Sequence, residues 1–379
     1  MFTVSLLLFF LLTSFTINSQ TNICSNNFTG LLAQINIIES LVEIPASVLP
    51  CGVTIITPEE ADNYIGSYTI SKSGNYCLAG DITNLTYDVI TINANNVTLD
   101  LNGFSISGSI SYGININSNN VTIKNGTISN CDGAGIAMAG GNQFITVMNL
   151  SIVGNNGVAM LGEGVSYLYM KQVTCAQNRT GGVLVQSING RIEDCIFDSN
   201  GSGLNLRGTN NVIRNCAASS NGLFGFNLTD SAGLYCENCI AKENSGGGFI
   251  ILGAQGCVME NCVATANKHV GFVSIAGVIA GGVLHNCIAD NTKHDNTTHN
   301  KDGFNFPGNN MIIRHCVAEN NAGVGFNQDG AFGAGQYYDN VACNNAGGNY
   351  DPSINAHSPG GVIAPGANFA AGYNLDCSA

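Results

Sequence analysis

A short phrase of alternating apolar and polar positions recurs along the chain, each time around a cysteine. The cysteines follow one another at intervals of 21 to 29 residues, and they are Cys195, Cys216, Cys239, Cys262, Cys287 and Cys316. A period of this length is typical of a solenoid, in which each repeat forms one coil. Because alternate residues of a strand point to the same side, the cysteine and the residue two positions later are predicted to face the interior.

A turn and a second strand are predicted after each cysteine. Five residues beyond it, most repeats carry asparagine, which bonds neighbouring backbone and tolerates left-handed geometry; these residues are Asn200, Asn221, Asn244, Asn267 and Asn321. A glycine then opens a strand that begins with a large apolar residue, namely Val183, Leu204, Phe226, Phe249, Phe272, Phe304 and Phe326. We expect the phenylalanines to stack from coil to coil.

Charged residues form an outer ladder two positions before each cysteine. Its members are Glu193, Arg214, Glu237, Glu260, His285, Arg314 and Asp339. Favourable cross-strand charge pairs contribute roughly 0.2 to 1 kcal/mol, although Glu237 beside Glu260 opposes this. The pattern is interpreted as serving register and solubility.

The ends of the chain differ from the repeats. Residues 1–20 contain the apolar run Leu6–Leu12 and resemble a secretory signal cut near Ser19, too short to span a bilayer. Within the N-terminal segment 21–66, residues 26–43 have the spacing of an amphipathic helix, which could cap the open core or self-associate. Residues 67–350 are predicted to form the coils and residues 351–379 a C-terminal cap. The mature chain is expected to lack a membrane span and to be secreted, extracellular or in the cell envelope.

Composition limits which partners the protein can bind and which of its cysteines can form disulfides. The net charge of −13 argues against nucleic acid as a partner, and the lack of tryptophan removes a common sugar-stacking side chain. Stacked ladder cysteines lack disulfide geometry and are predicted to be buried small hydrophobes, including Cys239 of the pair Cys236-x-x-Cys239. Bridges are expected near the two ends instead, among them Cys51 to Cys77.

The opening segments before the cysteine coils carry a resemblance to a known family. They read SKSGNYCLAGDIT at 71–83, NNVTLDLNGFSISG at 95–108 and NNVTIKNGTISN at 119–130. Followed by Asn-Cys coils, this arrangement resembles the right-handed parallel β-helix repeat proteins of the pectin-lyase-like superfamily over roughly residues 67–350. The resemblance implies an all-β, single-stranded solenoid of roughly 11 coils, here with a short N-terminal helical cap. That architecture is shared by lyases, hydrolases, tailspikes and adhesins, so it does not fix the function.

Three sets of residues are candidates for site chemistry. Outward amides and a guanidinium on the strand after the glycine could hydrogen-bond sugar hydroxyls; these are Asn205, Arg207, Asn227, Asn305 and Asn327. Asp302 and Asp329 could form the carboxyl pair of a glycosidase, which needs a separation of about 5 to 9.5 Å, if their columns match. In the insertion of the longest repeat, His294, Asp295 and His299 could bind a divalent metal. Apart from Ca²⁺ or another divalent metal there, no cofactor is expected.

These features favour a secreted or surface-exposed rod with a structural or adhesive role, contacting a polysaccharide or surface glycan along one lateral face. The alternative is a polysaccharide-degrading enzyme, either a lyase or a glycoside hydrolase. The short aspartate motifs of pectin-type hydrolases, Asn-Thr-Asp and Asp-Asp, do not occur in the chain. A compact set of outward carboxylates on neighbouring coils in a cleft would indicate the enzyme, whereas a flat or apolar outer face would favour adhesion or assembly.

Overall fold

A computed structural model describes the repeat region and short parts of both ends. The described residues are 53–62, 67–83, 87–251, 253, 255–274, 281–293, 301–306, 311–328, 336–351, 354 and 375–377. The signal predicted at 1–20 and the helix predicted at 26–43 lie outside them. Within the described ranges there is one helix, α1 (Pro58–Asp62). No described helix has the length and apolar character needed to cross a membrane.

Short strands make up nearly all of the described regular structure. The first eighteen are β1 (Val53–Ile56), β2 (Tyr68–Ile70), β3 (Gly74–Leu78), β4 (Ile82–Thr83), β5 (Ile90–Ile92), β6 (Val97–Asp100), β7 (Ser105–Ser107), β8 (Ile114–Ile116), β9 (Val121–Ser129), β10 (Ile136–Met138), β11 (Ile145–Val153), β12 (Val158–Ser166), β13 (Tyr169–Ala176), β14 (Gly181–Ile188), β15 (Arg191–Glu193), β16 (Ile196–Asp198), β17 (Leu204–Thr209) and β18 (Val212–Arg214). The others are β19 (Ala217–Ser219), β20 (Phe226–Asn227), β21 (Ser231–Ala232), β22 (Tyr235–Glu237), β23 (Ile240–Lys242), β24 (Phe249–Ile250), β25 (Cys257–Glu260), β26 (Val263–Thr265), β27 (Phe272–Val273), β28 (Gly282–His285), β29 (Ile288–Asp290), β30 (Phe304–Asn305), β31 (Met311–Arg314), β32 (Val317–Glu319), β33 (Phe326–Asn327), β34 (Gln336–Tyr338), β35 (Val341–Cys343) and β36 (Leu375–Asp376).

The strands form two parallel sheets that wind together as a solenoid. The first sheet has 23 strands and takes two from most coils, such as β22 and β23. The second sheet has 13 strands, and a typical coil contributes one strand to it, such as β24. Each strand pairs with its equivalent one coil later, as Glu237 does with Glu260 and Phe249 with Phe272. The parallel solenoid predicted from the cysteine period is confirmed.

The bend between the two first-sheet strands of a coil uses the left-handed backbone region. Asn215, Asn238 and Asn261 have φ of 52°, 53° and 54° there, a conformation that asparagine tolerates better than most residues. Asp339 occupies the same bend with φ 51°. The register pairs Arg314 with Tyr338, so placing Asp339 in the outer ladder of Arg314 was wrong by one position.

Aromatic rings and thiols fill the interior in columns, as the sequence predicted. Phe226, Phe249, Phe272, Phe304 and Phe326 are fully buried, with successive ring centroids 4.8 to 4.9 Å apart and planes within 3° to 5°. All six ladder cysteines are buried free thiols. Each sulfur lies 3.1 to 3.5 Å from the backbone carbonyl oxygen two residues earlier, to which its S–H donates. Burial as small hydrophobes is therefore their structural role.

The asparagines of the predicted turn are buried and bonded to one another. The Oδ1 of Asn244 accepts from both the backbone N and the Nδ2 of Asn221, and Asn267 accepts in the same way from Asn244. Each Nδ2 also donates to a backbone carbonyl of an earlier coil, as that of Asn244 does to Ala218. This asparagine ladder satisfies the backbone of a turn that faces the core.

Disulfide-bonded cysteines occur near both ends of the solenoid. Cys343 and Cys377 are bonded to each other, which ties β36 to β35. Cys77 is also disulfide-bonded, while Cys51, its predicted partner, lies outside the described residues.

Alkaline pH is expected to destabilise the fold through its buried thiols. Burial raises the pKa of Cys131 and of Cys257 from 9.0 to about 11. The stability these thiols contribute is present below the unfolded pKa and is lost as pH rises from about 9 through 11, by about 2 to 3 kcal/mol for each thiol. Urea unfolding of the reduced protein across this window measures the loss.

The variant Cys131→Ala tests the same prediction, because it should show a shallower decline in stability above about pH 9 than the parent protein. Equal slopes for the two proteins would contradict the assignment of the effect to this thiol.

Candidate functional site

The amides predicted to bind sugars share one column of the second sheet, in which Asn205, Asn227 and Asn327 are half-buried but Asn305 is buried, contrary to its predicted outward position. Asn205 pairs with Asn227 and Asn305 with Asn327, while Ile250 and Val273 separate the two pairs. Arg207 is exposed two residues beyond Asn205. The column therefore consists of two polar patches with an apolar interval.

Asp302 is a buried residue that holds the turn into the next coil. It is 5% exposed; its Oδ1 accepts from the backbone N of Val324 at 2.7 Å, and its Oδ2 accepts from Asn305 at 2.9 Å and Asn327 at 2.7 Å. Asp88 has the same arrangement with Tyr112 and Asn115. These bonds give Asp302 a positioning role for Asn305 and Asn327.

The other predicted site residues cannot be placed beside Asp302. Asp329, the second carboxylate of the predicted pair, lies outside the described residues, as do His294, Asp295 and His299 of the predicted metal site. Both sites stay predictions.

A denser cluster of reactive side chains lies on the outside of the first sheet. Parallel register aligns Arg214, Glu237, Glu260, His285 and Arg314 on five successive coils. Because alternate residues of a strand share a face, Tyr235 points outward beside Glu237, with buried Cys236 between them. Acids, bases and a phenol therefore share one exposed surface.

Tyr235, Glu260 and His285 are joined by a continuous chain of hydrogen bonds. The hydroxyl of Tyr235 donates to Oε2 of Glu260 at 3.0 Å, and Oε1 of the same carboxylate lies 3.2 Å from Nδ1 of His285. The side chains of Glu260 and His285 are 32% and 26% exposed. One carboxylate thus connects a phenol and an imidazole that solvent or a ligand can reach.

Glu237, on the same strand as Tyr235, and Arg214, on the preceding coil, lie beside this chain of hydrogen bonds. Nε of Arg214 donates to Oε2 of Glu237 at 2.9 Å, and the guanidinium lies 5.4 Å from the centroid of the Tyr235 ring. A guanidinium carries five N–H donors, so one bond to Glu237 leaves donors able to meet an anionic oxygen beside the phenol.

The polar surface continues beyond His285. The rings of His285 and His315 are 5.3 Å apart, and Nε2 of His315 lies 3.6 Å from Oδ2 of Asp339.

Burial and nearby carboxylates keep Tyr235 protonated. Burial raises its pKa, and the hydrogen bond to Glu260 and the charges of Glu237 and Glu260 add to the rise, while Arg214 opposes it. The phenol is therefore a proton donor throughout the neutral range.

Comparison with known families bears on the fold. Residues 156–301 match the family described as the right-handed beta helix region. The chain is a right-handed parallel β-helix. This match and the coil geometry confirm the right-handed parallel β-helix fold that the sequence predicted.

Solved structures similar to this β-helix include proteins named for acting on alginate-type polymers. The A-module of a mannuronan C-5 epimerase from Azotobacter vinelandii is 14% identical, with TM-score 0.41 over 73% of this chain and 86% of that one. A periplasmic alginate epimerase is 11% identical, with TM-score 0.42 over 76% and 83%. A mannuronic acid-specific family 6 polysaccharide lyase from human gut microbiota is 11% identical, with TM-score 0.40 over 86% and 80%. At these identities the likeness concerns the fold alone. A comparison with curated proteins found no match.

The sequence contains a signal for the hydrogen-bonded group of Tyr235, Glu260 and His285, namely the outer ladder of charged residues. Glu237, Glu260 and His285 were recognised as one ladder, but the ladder was assigned to register and solubility. Tyr235 precedes Glu237 by two positions, so strand alternation already places it on the same outward face. What the sequence does not give is the direction of each side chain, and hence which neighbour Glu260 contacts.

Two exposed aromatic rings also escaped the sequence reasoning. Phe144 and Tyr167 stack with centroids 4.8 Å apart and planes within 7°, and they are 52% and 47% exposed. Both have φ of 57°, a left-handed conformation that is costly for bulky residues. Phe144 lies immediately before β11, and Tyr167 lies two residues before the start of β13. Exposed aromatic rings of this kind can pack against the apolar side of a sugar.

Proposed function

We propose that this β-helix is a polysaccharide-degrading enzyme whose acid–base group is Tyr235, Glu260 and His285. The observation that carries the proposal is the continuous hydrogen-bond chain through Glu260, because it joins two groups able to exchange a proton with a ligand. The outward carboxylates of Glu237 and Glu260, which lie on neighbouring coils, also support it. The apolar run Leu6–Leu12 favours action outside the cytoplasm.

An extended polymer suits the shape of this face. Coils succeed one another by about 4.8 Å, so a chain lying along the axis crosses one new column residue at each coil. Such a chain would meet Arg214, the Tyr235 hydroxyl and His285 in order. The stacked Phe144 and Tyr167 precede strands of the same sheet on earlier coils and could contact more distant sugars.

Elimination is the reaction that this set of residues favours. A lyase removes the proton beside the carboxylate of a uronate and protonates the leaving oxygen, so it requires a base, an acid and a cation. Here His285 would accept the proton, the Tyr235 phenol would protonate the leaving oxygen, and Arg214 would neutralise the uronate carboxylate. Glu260 would hold the two proton-exchanging groups in position.

Hydrolysis is a second candidate, favoured by Glu237 and Glu260 as direct partners on adjacent coils. Their backbones are about 4.8 Å apart, close to the carboxyl separation of about 5 to 5.5 Å in retaining glycosidases. The bond from Arg214 would hold the Glu237 carboxylate in position as the nucleophile.

A structural or adhesive rod is the remaining candidate, and an exposed apolar column on the first sheet favours it. Ile196, Ile240 and Ile288 are 46%, 45% and 38% exposed, and the register places them on alternate coils of one line. A rod of this kind would bind a surface without changing it.

Product analysis on a panel of polysaccharides separates the three candidates. The purified protein is incubated with uronate-containing and neutral polymers, with and without calcium, and both reducing ends and ultraviolet absorbance of unsaturated uronides are followed. A lyase yields both signals and a hydrolase yields reducing ends alone. A folded protein that yields neither product from any polymer would contradict the proposed enzyme and favour the rod.

A further inference from the structure

Three thiols lie close together in the interior, on the opposite side of the first sheet from Tyr235 and Glu237. Cys236 and Cys239 belong to one coil and Cys262 to the next, and their sulfur atoms all lie within 4.8 Å of one another. The Sγ atoms of Cys262 and Cys236 are 3.7 Å apart. All three side chains have 0% exposure.

The cluster arises because one coil supplies a thiol outside the cysteine ladder. The ladder gives one cysteine per coil, including Cys239 and Cys262. In the column of Cys236, by contrast, the preceding coil carries Ile213 and the following coil Met259. Across the described ranges, this is the one group of three or more cysteine, histidine or acidic side chains found close enough to hold a metal ion.

The spacing of the sulfurs suits a common metal centre. Metal–thiolate bonds are about 2.3 Å long, which puts sulfur ligands of one ion about 3.8 to 4.0 Å apart in tetrahedral or trigonal geometry. The Cys236–Cys262 separation of 3.7 Å already matches, and the other pairs need to close by less than about 1 Å, within reach of small side-chain rotations.

We infer that Cys236, Cys239 and Cys262 form a binding site for a soft, three-coordinate cation, Cu(I). Sulfur ligands select Cu(I) and zinc over hard cations. Structural zinc takes four ligands, whereas this group offers three thiols. Each coordinating thiol loses its proton when Cu(I) binds: its S–H bond breaks, the proton leaves to solvent, and a Cu–S bond replaces a bond from Cu(I) to its carrier.

The depth of the site determines how the ion would enter. With no sulfur exposed, a closed solenoid offers no direct path, so the ion is expected to enter while the coils form. Copper should therefore be retained after refolding in its presence and taken up slowly by the folded protein.

Refolding with copper tests the inference. The full chain, with its end disulfides intact, is unfolded in acidic denaturant and refolded without oxygen, with Cu(I) supplied as its bicinchoninate complex. The copper retained after gel filtration is then measured. One Cu(I) per chain is expected, with Cu–S distances of about 2.2 to 2.3 Å by X-ray absorption. In Cys236→Val the retained copper should fall at least about tenfold, because two thiols remain.

Two controls distinguish loss of the copper site from a failure of the variant to fold. Valine suits a column that already holds Ile213, and circular dichroism and thermal melting without copper verify that Cys236→Val folds. If it does not, Cys236→Ala replaces it. Cys195→Ala removes a buried ladder thiol outside the cluster and should retain copper as the parent protein does. Equal retention by parent and Cys236 variants, no retention by the parent, or preferred binding of zinc with a fourth ligand would each overturn the inference.

Discussion

Replacing Asn244 by alanine is expected to lower the free energy of unfolding by about 2 to 6 kcal/mol. Its side chain accepts two hydrogen bonds from Asn221 and donates to Asn267 and Ala218, at 2.9 to 3.1 Å. Alanine would leave the backbone N–H of Asn221 and the carbonyl of Ala218 without these bonds in the interior, while Nδ2 of Asn221 keeps its bond to the carbonyl of Phe197. Each buried group that loses its partner costs about 1 to 3 kcal/mol, and this change affects two.

Asn205→Ala is the matched control, since it removes the same chemical group from the outward side of a strand. Among the described residues, no hydrogen-bond partner of its side chain is found, and its effect should stay within about 0.5 kcal/mol. Denaturant unfolding of both variants and the parent measures the difference. If Asn244→Ala cost no more than Asn205→Ala, the asparagine ladder would not be a major source of stability.

The asparagine ladder also shows how far the sequence could predict the fold. The cysteine period sets the coil length, and strand alternation sets which residues face inward, so the columns of cysteine, phenylalanine and asparagine all follow from spacing. In the coil of Cys287 the asparagine position holds Thr292, whose backbone N still donates to Asn321. Spacing alone does not reveal that the turn faces the core and that its amides bond to one another.

The candidate site could be predicted only in part, because side-chain directions depend on local partners. Asp302 was selected as a carboxylate on a polar loop, yet three hydrogen bonds turn it into the coil. Glu260 belongs to a ladder that looks repetitive, yet among the described residues of that ladder it alone contacts a tyrosine on one side and a histidine on the other. The difference between a structural and a reactive carboxylate lies in these contacts across coils.

Removing the hydroxyl of Tyr235 is expected to slow the proposed cleavage by about 10²- to 10⁴-fold, the range for loss of a general acid. The variant Tyr235→Phe keeps the ring beneath Arg214 but has no proton to give to the leaving oxygen. Because binding along the face is unchanged, the loss should appear in kcat rather than in KM. Burial and the carboxylates raise the pKa of Tyr235 from 10.0, so parent activity should not fall through ionisation of this phenol until pH exceeds about 10.

Tyr169→Phe supplies the control that distinguishes chemistry from packing. Tyr169 lies three coils earlier in the same column, and its hydroxyl donates to Glu193 at 3.2 Å, but Arg191 rather than a histidine contacts that carboxylate. Both variants lose a surface hydrogen bond of the same kind, so they should be similarly stable. Initial rates on the cleaved polymer should then fall only in Tyr235→Phe. Similar rates for the two variants would remove Tyr235 from the reaction and leave its bond to Glu260 as one more contact that stabilises the coils.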